Sequence, residues 1–383
     1  MKVAIVHEWL EHYAGSERVL AQLLNCYPDA DVFAVVDFLP AEERDFLNGR
    51  KVTTSFIQNL PLARTRFRNY LQLMPLAVEQ FDLSSYDLVI SSHHAVAKGV
   101  ITGPDQVHVS YVHSPMRYAW DLQAQYLRES GLEHGLKSLY VRWLLHRIRI
   151  WDIRSANGVD VFVANSRYIA RRIKKAYRRE AVVVAPPVAL QDFVLGQGKR
   201  DGFLVAARFA PYKRVELIIE AFRRMPQHHL TVVGTGPSQA LVAKAAHNAP
   251  NITLRPPAPP GELITLMQSA RAMLFAAEED FGITTVEAQA CGTPVIAFSK
   301  GGTRDIIVEG AQPQTGILFD AQTPEAIIDA VGRFEAVESR LSPAACRQNA
   351  LRFSEETFRQ AMRRVVDTAM ARQGCPRFVA RTG

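Results

Sequence analysis

The sequence predicts an α/β protein made of two successive doubly wound units, and three observations predict it. Short apolar runs alternate with helical patterns along the chain, as they do in a parallel sheet with crossover helices. The alternation breaks once, at Pro186-Pro187 and the Gly-, polar- and Lys/Arg-containing stretch to about residue 200, and then restarts. The length of 383 residues fits two domains at roughly 100–200 residues each. We therefore expect a first domain over residues 1–190 and a second over 191–355. A C-terminal helix at about 356–383 is expected to pack back on the first.

The first domain opens with a strand over residues 3–7, Val3-Ala4-Ile5-Val6-His7. The turn Ala14-Gly15-Ser16-Glu17 then leads into a helical pattern over 18–26, and a second strand follows at 31–38. A mixed region runs to Pro75. Within it Lys51, Arg64, Arg66 and Arg68 are interleaved with Leu60, Leu62, Phe67, Tyr70, Leu71 and Leu73, and residues 51–75 hold no acid. Apolar runs at 87–91 and 107–113 read as strands. Residues 135–154 read as a long amphipathic segment carrying Leu139, Trp143, Leu144, Ile148 and Trp151. A strand at 160–164, a helix at 166–178 and a strand at 181–184 complete the unit. On that helix Ile169, Ile173, Ala176 and Tyr177 share one face, with Arg171, Arg172, Lys174 and Lys175 elsewhere.

In the second domain, strands at 203–207, 230–233 and 252–254 alternate with helices at 215–224, 238–247 and 261–269. The stretch 274–302 is the most informative in the chain. It reads as a strand (274–277), an acidic turn (278–282), a helix (283–290) ended by Cys291-Gly292, a strand (294–298) and a glycine pair, Gly301-Gly302. A strand at 316–319 and helices near 324–335, 343–353 and 354–370 follow.

Composition narrows the class. Hydrophobic residues make up 48% and charged residues 22%, as in a globular protein with a sizeable core. Cys26, Cys291, Cys346 and Cys375 are far apart and form no C-x-x-C, which argues for a reducing compartment over a disulfide framework or a zinc site. Met1 leads almost directly into a strand rather than a signal peptide, and no apolar run approaches the roughly 18 residues of a spanning helix. The formal charge is +7. Residues 137–180 alone hold twelve Lys and Arg against three acids, so the basic character sits in the first unit. A solvated basic face, an anionic membrane surface and, third, nucleic acid all fit that excess.

Several constellations could carry chemistry. Glu279 and Glu287 lie eight positions apart, one in a loop and one in the helix that follows. A helix N-terminus after a strand offers unpaired amides and a positive dipole end to an anion. Together they suit a nucleotide-sugar, with amides for phosphate and carboxylates for hydroxyls. Read locally, Thr284-x-x-Glu287 also fits a capping box, with Glu287 satisfying backbone donors, and Glu278, Glu279 and Asp280 also fit a solvated acidic turn. Arg208 and Lys213 follow the first strand of the second unit. Ligands of an open α/β sheet bind beyond such strand ends, and an Arg fork with a Lys point charge suits a diphosphate. Gly234-Thr235-Gly236-Pro237 turns the next strand into a helix.

Taken together, these residues resemble family 4 of the retaining, GT-B-fold glycosyltransferases. The family's E-x-F-G-x-x-x-x-E-A pattern stands here as Glu279-Asp280-Phe281-Gly282-Ile283-Thr284-Thr285-Val286-Glu287-Ala288. Arg208 with Lys213, the Gly234 turn and Asn165-Ser166 match in order, and the resemblance covers nearly the whole chain. There are departures. Asp280 replaces a commoner Gly, Thr284-Thr285 replaces an apolar or proline-containing pair, and the acid after the glycine pair is Asp305.

The resemblance implies two Rossmann-like domains facing each other across a cleft. It implies that Glu287 holds the donor ribose and that Glu279 contacts the donor sugar. The donor-binding set would be Gly15, Arg208, Lys213, Gly234, Phe281, Gly282, Ile283, Thr284 and Glu287. Arg208, Lys213 and the amides around Gly282, Ile283 and Thr284 would neutralise the departing diphosphate. Gly15 would lie in a glycine-rich loop against the diphosphate and acceptor, and His113 near the transferred sugar. Glu279, His113, Arg208 and Lys213 are thus the catalytic candidates.

His7-Glu8-Trp9-Leu10, Gly15-Ser16-Glu17-Arg18 and His113-Ser114-Pro115-Met116-Arg117-Tyr118 look most like bacterial mannosyltransferases of surface-polysaccharide assembly. Those use GDP-mannose and a lipid-diphosphate-linked acceptor. The expectation is a cytoplasmic enzyme, peripheral at the inner face of the cell membrane, with no cofactor, no metal and no nucleic-acid partner. No D-x-D triplet stands at a strand end. The alternatives are a UDP-sugar-dependent transferase of the same fold, a nucleotide-sugar 2-epimerase, and a non-catalytic basic nucleic-acid-binding protein.

Overall fold

The structure, a computed structural model, describes residues 1–373. The described residues divide into two compact units, one comprising Met1–Pro187 with residues 358–373, the other Val188–Thr357. Each is built on a fully parallel sheet.

In the first unit the strands are β1 (Val3–Leu10), β2 (Asp31–Asp37), β3 (Val52–Thr54), β4 (Leu88–His93), β5 (Val107–Val112), β6 (Val161–Ala164) and β7 (Ala181–Val183). Their spatial order is β3-β2-β1-β4-β5-β6-β7. The longer helices are α1 (Gly15–Cys26), α2 (Leu136–Ser155) and α3 (Arg167–Tyr177). Apolar side chains of β1 and β4 feed cores on both faces, which is why residues 3–6 and 88–90 read as continuous apolar runs.

In the second unit the strands are β8 (Phe203–Ala206), β9 (Leu230–Val233), β10 (Ile252–Arg255), β11 (Ala272–Phe275), β12 (Val295–Phe298) and β13 (Gly316–Phe319). The order is β10-β9-β8-β11-β12-β13. Its helices are α4 (Val215–Arg223), α5 (Gln239–Ala246), α6 (Pro260–Ser269), α7 (Ile283–Ala290), α8 (Pro324–Val337) and α9 (Pro343–Leu351). In each sheet the order reverses once, between β1 and β4 and between β8 and β11. Such switch points are where open α/β sheets bind ligands.

Differences from the sequence reading have local causes. β1 continues to Leu10 because it stays paired with β2 through Leu10 and Asp37. Its charged residue, Glu8, is buried and fully hydrogen-bonded. β3 is a three-residue edge strand with one buried side chain, too short to show a period. The last helix, α10 (Glu355–Arg372), packs Phe358, Met362, Val366 and Met370 into the core of the first unit. The remainder of the expected span, from residue 374, lies outside the described residues.

The largest difference is in α2. Ile148 is buried and Leu144 and Trp151 are half-buried, but Leu139 and Trp143 face solvent. The inward face instead carries Ser138, Leu145, Ile148 and Asp152. Asp152 is fully buried and pairs with the equally buried Lys98 at 2.7 Å. It also accepts hydrogen bonds from Trp120 Nε1 at 2.7 Å and Tyr177 OH at 3.0 Å. Removing one member of such a pair leaves an uncompensated charge. Asp152→Ala should lower unfolding free energy by about 3–5 kcal/mol, and Lys98→Met in the same chain should restore part of it, as read from denaturant unfolding.

Candidate functional site

In the second unit the residues of interest gather at the switch point between β8 and β11. β8 ends in the loop that carries Arg208, and a one-turn helix (Pro211–Lys213) presents Lys213. β11 continues through buried Ala276 and Ala277 into the acidic turn. The Lys213 ammonium and the Glu279 carboxylate meet in an ion pair across this point, both largely shielded from solvent. The ammonium also stands 5.2 Å from the Phe275 ring centroid and 5.4 Å from that of Tyr212, a further electrostatic attraction. Arg208 is exposed, and among the described residues its side chain makes no ion pair.

Gly282 caps α7 at φ +100°, a backbone conformation that side chains disfavour. Its carbonyl accepts from Thr285 N at 2.9 Å and from Thr285 Oγ1 at 2.7 Å. Thr284 is therefore inside the first turn and Glu287 in the second, so the capping-box reading of this pair does not hold. Glu287 is buried on a helix whose first amides, those of Ile283 and Thr284, head toward the switch point. The Phe281 side chain is buried against Phe353, with ring centroids 5.5 Å apart. Its side chain therefore belongs to the core, and only its backbone belongs to the loop.

Glycines hold these loops together. Gly302 N donates to Glu279 O at 2.8 Å. A Cβ on Gly301 would lie 2.3 Å from Glu279 O, and one on Gly302 2.3 Å from Phe281 Cα. Gly234, at φ +150°, brings its turn so close that a Cβ would lie 1.9 Å from Ala207 O. The turn is also stitched by Phe209 N to Thr235 O and Ser238 N to Phe209 O, both 2.8 Å. Gly234 and the Arg208 loop are thus neighbours. Beside them is a cavity of about 300 Å³ lined by Phe209, Gly234, Thr235, Gln239, Leu254, Arg255, Pro256 and Pro257. Of this set only Gly234 and Thr235, in the glycine turn, were reached from sequence. A Pro-Pro pair directly after a strand was the available signal for a rigid wall.

In the first unit, His113 follows β5. Its N–H donates to His93 O at 2.8 Å, its carbonyl accepts from Asn165 Nδ2 at 2.9 Å, and its Nε2 lies 2.9 Å from Ser92 Oγ. Burial, with His94 beside it, pushes its pKa down to about 3. His113 is therefore neutral near pH 7. Gly15 begins α1. Just before it, Ala14 N donates to Glu17 Oε2 at 3.0 Å, the reciprocal half of a capping box. Buried Glu17 also pairs with His7 Nε2 at 3.2 Å and accepts from Ser16 Oγ at 3.0 Å.

Glu8 is the feature that sequence reasoning missed. One of its oxygens accepts from the consecutive amides of His94, Ala95, Val96 and Ala97 at 2.7–3.0 Å, and lies 3.2 Å from His93 Nδ1. Burial alone would raise its pKa, but the His93 bond, the neighbouring histidines and these amides hold it far below the usual carboxylate range. The loop after β4 is an anion nest, and the chain fills it with its own carboxylate.

Glu17 supplies a pH test. Burial opposes ionisation, but His7 and the local donors lower its pKa from 4.5 to about 2. A depressed folded-state pKa contributes stability in full above about pH 4.5 and loses it as pH falls toward 2. Glu17→Gln should therefore be destabilised by about 2–3 kcal/mol near neutrality. The difference should shrink toward pH 2 in urea unfolding across a pH series.

Comparison with known proteins bears on the family and the fold. Residues 13–191 match the family model described as Glycosyltransferase Family 4, and residues 191–353 match that described as Glycosyl transferases group 1. The chain is 34% identical over 180 residues to a D-inositol 3-phosphate glycosyltransferase of Frankia alni, an alignment covering 39% of this chain and 43% of the relative. It is 29% identical over 210 residues to a GDP-mannose-dependent alpha-(1-6)-phosphatidylinositol monomannoside mannosyltransferase of Mycolicibacterium smegmatis, covering 47% of this chain and 54% of the relative. The chain thus spans about half the length of these curated relatives. Among solved structures, HepE of Anabaena in complex with UDP superposes with a TM-score of 0.68 at 16% identity, over 96% of this chain and all of that one. Sucrose-phosphate synthase of Thermosynechococcus elongatus gives a TM-score of 0.69 at 15% identity, over 97% of this chain and all of that one. These likenesses establish the fold as two parallel-sheet Rossmann-like domains of the GT-B class.

Proposed function

The chain carries glycosyltransferase-family domains in both halves, and we propose that it is a retaining glycosyltransferase. In this reading it moves a hexose, mannose from GDP-mannose, to a lipid-linked glycan acceptor of surface-polysaccharide assembly. The enzyme works at an anionic membrane surface. The observation that carries the reading is the meeting of Lys213 and Glu279 across the switch point, at the head of the helix that bears Glu287.

A cation beside helix amides suits a diphosphate, and a partly shielded carboxylate next to it suits sugar hydroxyls. On donor binding the Lys213 ammonium exchanges Glu279 for phosphate oxygens, and Glu279 turns to the sugar. Glu287 holds the ribose. The cavity between the Gly234 turn and Pro256-Pro257 is wide enough for a planar base against Phe209 and Leu254.

Transfer breaks the bond between the anomeric carbon and the diphosphate oxygen. The acceptor oxygen bonds that carbon on the same face, and its proton passes to the departing phosphate. Stabilising negative charge on the leaving group is the main lever, and Arg208, Lys213 and the amides of Ile283 and Thr284 supply it. His113, being neutral, serves as a hydrogen-bonding partner of the transferred sugar rather than as a proton store near pH 7.

Two comparisons bear on the donor. The Mycolicibacterium relative is named as GDP-mannose-dependent, whereas HepE was solved with UDP and with UDP-glucose. A UDP-sugar donor is therefore the second reading, and a binding screen of GDP-, UDP-, ADP- and TDP-sugars decides between them.

Glu279→Gln should lower transfer by about 10²–10³-fold while leaving nucleotide affinity within a few-fold. Lys213→Ala should weaken diphosphate binding by about 1.5–3 kcal/mol. Titration calorimetry with the nucleotide, beside a transfer assay, checks both, and full activity in Glu279→Gln would sink the site assignment. With cations and amides in place of a metal, transfer should survive exhaustive chelation. Activity lost to a chelator and restored by Mn²⁺ would overturn that part.

A further inference from the structure

The side of α2 turned away from the core is apolar and uncovered. Leu136, Leu139, Trp143, Ile150 and Ile153 recur at helical spacing along it, each 46–85% exposed, with Tyr140 beside them. A surface helix ordinarily turns charged and polar residues to this side. Single exposed apolar side chains are normal, but an aligned stripe marks an interaction surface. The charge on the outward side of the helix itself is of one sign. Lys137, Arg142, Arg147 and Arg154 are exposed, and none is in an ion pair among the described residues. The one acid of the helix, Asp152, is on the buried face with Lys98.

The Tyr140 hydroxyl donates to Gln72 Oε1 at 2.7 Å, which ties the chain at Gln72 to the outward side of α2. The basic helix α3 is different. Of its cations Lys174 is paired with Glu180 and Arg172 with Asp121, both at 2.6 Å. Its apolar residues Ile169, Ile173 and Tyr177 all point inward. α3 can add attraction to an anionic surface but has nothing to insert into it.

We propose that the outward face of α2 docks the protein on an anionic lipid bilayer. Trp143 and Tyr140 sit at the headgroup boundary, Leu139 and Ile150 dip into the acyl region, and the four arginine and lysine side chains lie among the phosphates. Aromatic rings, branched aliphatics and unpaired cations on one exposed helix face are what an interfacial helix requires. The absence of any acid on the face selects anionic lipid. The assignment rests on the proposed function only in that a lipid-borne acceptor gives docking a purpose. It is tested without donor or acceptor, so the two readings fail separately.

The experiment is co-sedimentation of the full chain with phosphatidylcholine vesicles, with and without phosphatidylglycerol. Binding is expected only with phosphatidylglycerol, and it should fall as salt rises. Leu139→Ser with Trp143→Ser should weaken it by about tenfold or more. Arg142→Gln with Arg147→Gln should weaken it by about fivefold per cation. Brominated lipid should quench tryptophan fluorescence in the native chain but not in Trp143→Phe, an arm that holds even if the serine variant folds poorly. No binding to phosphatidylglycerol vesicles, or equal binding by the variants, would overturn the proposal. So would a dimer in vesicle-free sedimentation that the serine variant loses, which would make this face a contact between copies.

Discussion

Backbone packed directly on backbone is the constraint on which the second unit's switch-point edge depends. Gly234 against Ala207, Gly236 against Phe209, Gly301 against Glu279 and Gly302 against Phe281 are all closer than a Cβ would permit. With no side chains between them, four loops from different strands are held within hydrogen-bonding reach. The side chains that remain, Lys213 and Glu279, then have one place to go. The ion pair is thus a consequence of loop closure, and its chemistry is available because both partners keep some solvent access.

The first unit meets the same requirement by another device. Its switch-point loop presents a row of amides that would attract an anion, and Glu8 from the adjacent strand satisfies them. A buried carboxylate is costly unless its lone pairs are filled, and here they are. The loop so anchored carries His94, whose ring packs edge-on against Trp9 at 4.6 Å and lies 6.3 Å from His113. The amides of this loop are thus already occupied by the chain's own carboxylate.

The contrast between α2 and α3 shows how charge and burial must be read together. The sequence places the basic excess across both helices. Packing divides the roles, because α3 buries its apolar face conventionally while α2 buries a Lys98–Asp152 pair and leaves an apolar stripe outside. An apolar period in the sequence says that a helix has such a face. It does not say which way the face turns.

What the sequence by itself determined was the alternation, the break near Pro186-Pro187 and the turn-then-helix pattern of the stretch 279–287. These are local properties, since strand and helix periods and a helix start after glycine need only near neighbours. Even there it left two roles undecided. Thr284 looked like a cap until Gly282 took that position, and the Phe281 ring had no place until it was found buried on Phe353. Only tertiary structure could decide that Lys213 meets Glu279, that Glu8 fills the loop after β4, and that α2 turns Trp143 outward. Each depends on residues far apart in the chain, brought together by strand order, and strand order is set by how whole elements bury their faces.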